Sequence, residues 1–370
     1  MTLGAILFGF ISERLEAIPA ILLFSISVGG LLFFDLKVLF ENNINWNLSL
    51  LYMEITYIFL FTIVAKWILE EKDKKFIQGA MGKYVSPKLV QELANDPSKL
   101  VLGGEKKNLT ILFSDIRSFT TLSEKMDAAS LTRMLNDYLT LQSNIVKETD
   151  GTLDKYIGDA VMAFWGAPGD HPKHAYQAVT AAQLMMKSVH ENQPRWKQEY
   201  GIDINIGIGL HTGFVSVGNM GGDDNFNYTV IGDHVNLASR LEGLSKPYAA
   251  SIIVSRHLLE EVAKSGEAVP THRTIDFVKV KGKDVAVEIC QVFDREVKPE
   301  GVEAFDQGFQ HYLNQEWDQA EECFKQSKIL LRDPTGGVDG TSEVYLERVE
   351  YFRENPPGED WDGTWTMTSK

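Results

Sequence analysis

The polar and apolar positions divide the chain into a lipid-like opening, a long stretch of alternating short elements and a helical tail. Residues 17–34 are an unbroken apolar run without a charge, about the length that crosses a bilayer. Residues 48–65 form a second run, interrupted only by Glu54, with Tyr52, Tyr57 and Trp67 as candidate interfacial aromatics. The polar stretch 41–47 between them predicts a helical hairpin. Lys66, Lys72, Lys74 and Lys75 follow the second run, and basic residues favour the cytoplasmic side. Residues 1–70 are therefore expected to be a multi-pass membrane anchor in contact with lipid, with the rest of the chain cytoplasmic. Residues 3–12 are apolar but short, and read as the stump of a third helix. Glu54 is costly inside a span and is expected to face a neighbouring helix.

Residues 71–100 read as a charged, partly helical connector that Pro87 breaks, with Ser86 as a cap. From Asn108 onward strands and helices alternate. LTILFSDI is a short apolar run, hence a buried strand, and LTRMLNDYLTLQSNIVKE has helical spacing. TLDKYIG and AVMAFWG predict two strands joined by a tight turn at Gly158-Asp159. A helix is expected over 174–190, then the strand pair INIGIGLHTG and FVSVGNMG. NYTVIG, a helix opening near Asp233, and strands around TIDFVKVKG and VAVEICQVF complete the pattern. This order predicts an α/β (α+β) domain over 101–295 with one mixed sheet and a ferredoxin-like β-α-β-β-α-β core. In the tail, 298–370, Gly308, Tyr312, Trp317, Ala320 and Phe324 are spaced like one tetratricopeptide helical pair. One pair does not bury its own face, so it is expected to pack on the preceding domain or on a protein partner. The last residues read as extended, with two tryptophans suited to docking.

Composition changes this picture in two respects. A formal charge of −15 excludes a general nucleic-acid binder, which needs a basic field. Cys290 and Cys323 are isolated, giving neither a disulfide framework nor a zinc motif.

Asp115 ends a buried apolar strand, where a carboxylate is costly without a cation or hydrogen-bond donors. Asp159 sits on the turn between two strands. Singly, each is an ordinary turn or cap residue; together, at the ends of neighbouring strands, they are a candidate site for hard divalent cations. Asn236 and Arg240, four apart, share one helical face and suit ribose and phosphate, although a surface polar stripe has the same spacing. Lys281 follows an alternating strand and reads equally as a solvated hairpin lysine.

LTILFSDIRSFT, DKYIGDAVMAFWG, GIGLHTG, YTVIGDHVNLASRLE and VKVKGK resemble, in order and separation, the successive motifs of class III nucleotidyl cyclase catalytic domains. The resemblance covers about residues 80–295. It implies an adenylate cyclase that makes cyclic AMP and pyrophosphate from ATP with Mg²⁺ or Mn²⁺, two per active site. By position, Asp115, Asp159 and the Ile116 carbonyl match metal ligands. Lys155 and Thr229 match the base-reading pair, Asn236 and Arg240 the pair that orients ribose and stabilises the transition state, and Lys281 the triphosphate-binding lysine. It further implies a homodimer with active sites at the interface, because the metal aspartates of one subunit face the Lys, Thr, Asn and Arg of the other. Gly221-Gly222-Asp223-Asp224 is similar to the diguanylate cyclase signature, but the surrounding motifs fit the other family. Phe214 departs from the family, where a polar residue is common.

Lys155 only donates, which suits adenine N1, and Thr229 can accept from the exocyclic amine; guanine presents the opposite pattern. ATP is therefore expected over GTP. The alternatives left open are a guanylate or mixed-specificity cyclase and a catalytically silent receptor or scaffold.

Overall fold

The computed structural model describes residues 17–42, 49–81, 102–223, 225–279, 286–332, 337–358, 361 and 363. The expected third apolar helix over 3–12, most of the connector after residue 81, and Lys281 lie outside the described residues. The chain forms two compact units, Met1–Gln91 and Glu92–Lys370.

In the first unit, helix α1 (Ala17–Phe34) runs on into a π-helical turn, Asp35–Phe40, and α2 spans Ser49–Met81. Two stretches, Pro19–Phe40 and Leu50–Leu69, are long and apolar enough to cross a membrane. The helices pack through Ile55 and Phe59 against Leu23, Val28 and Leu31, with the Phe24 and Phe59 rings stacked at 4.1 Å. Ile26, Phe33 and Phe61 point outward and are exposed, an apolar exterior suited to lipid. Glu54 is half-buried. The second helix does not stop with its apolar run but continues to Met81, so the start of the connector belongs to it.

The second unit is built on an eight-stranded mixed sheet. Its strands are β1 (Gly103–Ile116), β2 (Thr152–Ile157), β3 (Ala160–Trp165), β4 (Ile206–Gly222), β5 (Asn225–Ile231), β6 (Ile252–Ser255), β7 (His272–Lys279) and β8 (Ala286–Val292). The order is β2-β3-β1-β4-β6-β8-β7, with β5 paired to β4. With α4 (Ala128–Glu148) and α5 (His174–Tyr200), the first four strands make the expected ferredoxin-like β-α-β-β-α-β core; a short α3 (Phe119–Lys125) follows β1. β1 and β4 pair antiparallel from Gly103↔Asn219 to Ile116↔Ile206. Asp127 caps α4 by accepting from the amides of Ala129 and Ser130, and Gly201, at φ 70, closes α5.

One face of the sheet packs Leu112, Ile116, Trp165, Ile208 and Val254 against α4, α5 and α7 (Arg256–Lys264). The other carries α6 (Asp233–Leu244) and, beyond it, the tail helices α8 (Pro299–Leu313), α9 (Trp317–Leu330) and α10 (Gly340–Glu354). The tail shares a core with the sheet: Leu237, Leu241, Ile253, Ile275 and Ile289 bury with Phe305, Phe309, Phe324, Tyr345 and Val349. Gly308 faces Cys323 and Phe324, so close packing of one helical pair accounts for the tail's spacing, and the repeat reading goes no further. Trp361 docks on Trp317, Phe352 and Tyr312.

Several expectations are corrected. INIGIGLHTG and FVSVGNMG are one strand, β4, because Phe214 is an exposed position within a continuous ladder. Phe214 therefore lies in no loop; its ring takes the Lys106 ammonium at 5.4 Å. The helix expected over 174–190 continues through Pro194 to Tyr200. β6 and α7 are additional elements. Gly221 and Gly222 end β4 in its hairpin with β5.

Candidate active site

The turn joining β2 to β3 needs a left-handed residue, and Gly158 supplies it at φ +68. The turn delivers Asp159 to the end of β1, where the Ile116 amide donates to its Oδ2 at 3.2 Å. Asp115 stands beside it. Burial, reinforced by the neighbouring Asp115 carboxyl, pushes Asp159 up to about 7. The structure thus brings Asp115, Ile116 and Asp159 together.

A third carboxylate adjoins them. Glu242, near the end of α6, is pushed up to about 7 by burial and by the charges of Asp115 and Asp159. It reaches this position because β4 carries glycine at 207 and 209. A methyl group at Gly207 would lie 2.9 Å from a Glu242 carboxylate oxygen. Glu242 was not singled out in the sequence, although the alternate glycines of GIGL mark a strand face open to a helix. Arg117, which donates to the Ala250 carbonyl at 3.1 Å, offsets part of this negative charge.

A second group forms on β2 and β5. Lys155 Nζ donates to Thr229 Oγ1 at 3.1 Å. Thr229 donates to Asp154 Oδ2 at 2.5 Å, and Asp154 Oδ1 lies 2.9 Å from Lys155 Nζ. The sequence-predicted pair Lys155 and Thr229 is thus held by one chain, with Asp154 as an unforeseen third member. Asn236 and Arg240 are both exposed on α6, one helical turn apart, and neither side chain makes a hydrogen bond or ion pair among the described residues. Lys281 falls outside the described residues between β7 and β8.

The sequence model of the Adenylate and Guanylate cyclase catalytic domain matches residues 103–291, just over half of the chain. The chain belongs to this family. The cyclase domain is 37% identical over 186 residues to "Adenylate cyclase" of Anabaena cylindrica, covering 50% of this chain and 37% of that protein. It is 33% identical over 187 residues to "Adenylate cyclase 1" of Rhizobium meliloti (strain 1021), covering 50% of this chain and 28% of the relative. The chain therefore spans well under half the length of either relative. Among solved structures, the adenylyl cyclase CyaB from P. aeruginosa is 37% identical with a TM-score of 0.48, covering 53% of this chain and 98% of that one. A bacterial light-regulated adenylyl cyclase shares the fold, at 22% identity and a TM-score of 0.51, over 63% of this chain and 64% of that one.

Cyclases of this family generally use divalent metals, and the cyclase domain's acidic site fits one. The raised Asp159 and Glu242 carboxyls mark a half-buried place short of positive charge. Among the described residues no three His, Cys, Asp or Glu side chains surround a common point. Two carboxylates meeting at a strand end are the kind of sparse oxygen set that Mg²⁺ accepts when substrate phosphates complete its shell.

Proposed function

We propose that this protein is an adenylate cyclase that converts ATP to 3′,5′-cyclic AMP and pyrophosphate. The observation that carries the reading is the convergence of Asp115 and Asp159, the latter bonded by the Ile116 amide, at one strand end of a cyclase-family domain. The adenylate cyclases among its relatives support the same choice.

In this reading Lys155 donates to adenine N1 and Thr229 accepts from the exocyclic amine. Lys281 holds the terminal phosphates and Asn236 orients the ribose. The 3′-oxygen then bonds to the α-phosphorus, the bond from that phosphorus to the bridging oxygen breaks, and the 3′-proton leaves to solvent. Arg240 donates to the α-phosphoryl oxygens as charge builds there. Asp115, Asp159 and the Ile116 carbonyl would hold divalent metals, which would supply Lewis acidity to the 3′-hydroxyl and charge neutralisation to the triphosphate.

Two copies are needed in this scheme, the acidic group of one facing the base-reading group and α6 of the other. The exposed Tyr156, Ile157 and Ile231, at the ends of the adjoining β2 and β5, suit such a contact. The division proposed is a membrane anchor at 1–70, a connector at 71–100, the catalytic domain at 101–295 and the tail at 298–370. The two apolar helices anchor the chain with its catalytic part in the cytoplasm.

The test is to incubate the full chain, in detergent, with ATP or GTP and Mg²⁺ or Mn²⁺ at rising protein concentration. Products are identified by mass, with Asp115→Ala as control. Cyclic AMP from ATP, with specific activity rising with concentration, is the expected result. No cyclic product with either metal from folded protein overturns the reading in favour of a silent receptor.

A further inference from the structure

Asp154 has a job that neither the base-reading pair nor the acidic site accounts for. Its side chain is 0% exposed; Oδ2 accepts from the Thr229 hydroxyl at 2.5 Å, and Oδ1 makes no hydrogen bond but is compensated by the Lys155 ammonium 2.9 Å away. A buried carboxylate is costly unless paired, and these two partners are what pair it. The pairing has a direction. An ionised carboxylate only accepts, so the single proton of the Thr229 hydroxyl is drawn onto Asp154. Lys155, which only donates, fills one lone pair of the same hydroxyl at 3.1 Å. What Thr229 has left to offer is its other lone pair.

We propose that Asp154 is the residue that sets base specificity, by turning an ambivalent hydroxyl into a fixed acceptor. A threonine hydroxyl left to itself rotates to suit its partner and greets a 6-amino or a 6-oxo group alike. With its proton tied to Asp154, Thr229 suits the amine of adenine and opposes the carbonyl of guanine or hypoxanthine. Asp154 touches no substrate atom in this arrangement; it is a positioning residue acting through Thr229 and Lys155. The inference rests on the base-reading role proposed above for those two residues.

The experiment compares Asp154→Ala and the isosteric Asp154→Asn with the unaltered full chain, alongside Thr229→Ala. Each is assayed for kcat/KM with ATP, GTP and inosine triphosphate, which carries the 6-oxo group without guanine's 2-amine. Displacement of a fluorescent nucleotide by each triphosphate gives the same comparison without turnover. The expected result is a fall of about tenfold or more in the ATP-to-inosine triphosphate ratio for both Asp154 variants, the size of one misdirected hydrogen bond to a buried group. Combining Asp154→Asn with Thr229→Ala should add nothing further to that ratio. A merely structural role would lower use of all three nucleotides together, and an unchanged ratio in either folded Asp154 variant overturns the inference. If Thr229→Ala also leaves the ratio unchanged, the base-reading role of Thr229 falls with it. If Thr229→Ala shifts the ratio and Asp154→Asn does not, only the role of Asp154 is rejected.

Discussion

Gly209 lets the backbone of Glu242 rest directly on strand β4. A methyl group at Gly209 would lie 2.0 Å from the Glu242 amide nitrogen and 2.6 Å from the Ala238 carbonyl oxygen. Neither atom can move without moving α6, which also carries Asn236 and Arg240. Gly209→Ala should therefore cost about 1–3 kcal/mol through overpacking. Thermal unfolding should show this as a fall of several degrees, at roughly 2–4 °C per kcal/mol in a unit of this size. Cyclase activity, assayed well below the new midpoint, should fall as well, because the whole face of α6 is displaced. A variant with unaltered midpoint and rate would mean that α6 is not seated as described.

Asp159 illustrates stability set aside for a site. Its carboxyl is raised by burial and by Asp115, so its charge is unfavourable in the metal-free fold. Asp159→Asn should raise the unfolding midpoint in EDTA while abolishing turnover. Added Mg²⁺ with nucleotide should stabilise the unaltered protein and not the variant. A midpoint that falls in EDTA would contradict this account of the site's electrostatics.

The structure changes how a switch of base preference should be built. Lys155→Glu with Thr229→Cys offers guanine N1–H an acceptor in place of a donor, which weakens ATP selectivity, but the new carboxylate would meet Asp154 where Lys155 now pairs with it. That double variant should be a poor cyclase with either nucleotide. Adding Asp154→Asn removes the like-charge contact, and kcat/KM for GTP should then rise by about tenfold or more. No gain on adding Asp154→Asn would show that the repulsion is relieved in another way.

His174 ties stability to pH. It is buried at the start of α5 and bonds through Nδ1 to Thr110 Oγ1 at 2.8 Å, which in turn meets Thr212 Oγ1 at 2.7 Å. Burial holds its pKa below the ordinary 6.5. The unfolded chain therefore binds the proton more readily than the folded one. The stability this histidine contributes is complete above pH 6.5 and is lost as pH falls from there toward the folded value. Denaturant midpoints of the unaltered protein and His174→Gln should converge between pH 8 and 5, and a constant gap would refute the assignment.

Arg273 is fully buried and forks onto both oxygens of Asp339, each at 2.7 Å, with its guanidinium 4.2 Å from the Phe305 ring centroid. Arg273→Met leaves the Asp339 carboxylate buried without its cation, a loss of about 3–5 kcal/mol. The unfolding midpoint should drop by roughly 10 °C. Asp339→Asn in the same protein should recover part of that loss, which a calorimetric scan would show.

The sheet was legible where its strands are apolar runs of ordinary length. The ferredoxin-like order followed from LTILFSDI, TLDKYIG and AVMAFWG with helical spacing between them. β6 escaped because Ile252–Ser255 is only 4 residues long, and its strand identity depends on pairing with β4 and β8. β4 was split because an outward Phe214 looks like an interruption when its neighbours across the ladder are unknown. Asp115 and Asp159 were readable as carboxylates at strand ends, a local property. Asp154 was not, since its partner Thr229 is 75 residues away and its role exists only once β2 and β5 adjoin. Glu242 was hidden likewise, lying off the face shared by Asn236 and Arg240.

The stretch of sequence that marks the family ends at residue 291, inside β8, whereas the hydrophobic core there continues into α8, α9 and α10. Inherited module and folding unit do not coincide. A fragment cut at that border is severed through a packed interior rather than through a linker, baring Leu241, Ile253, Ile275 and Ile289 to water. Fusions and minimal enzymes made from this chain should be joined beyond Glu354, and any other context for the module has to bring its own cover for those four side chains.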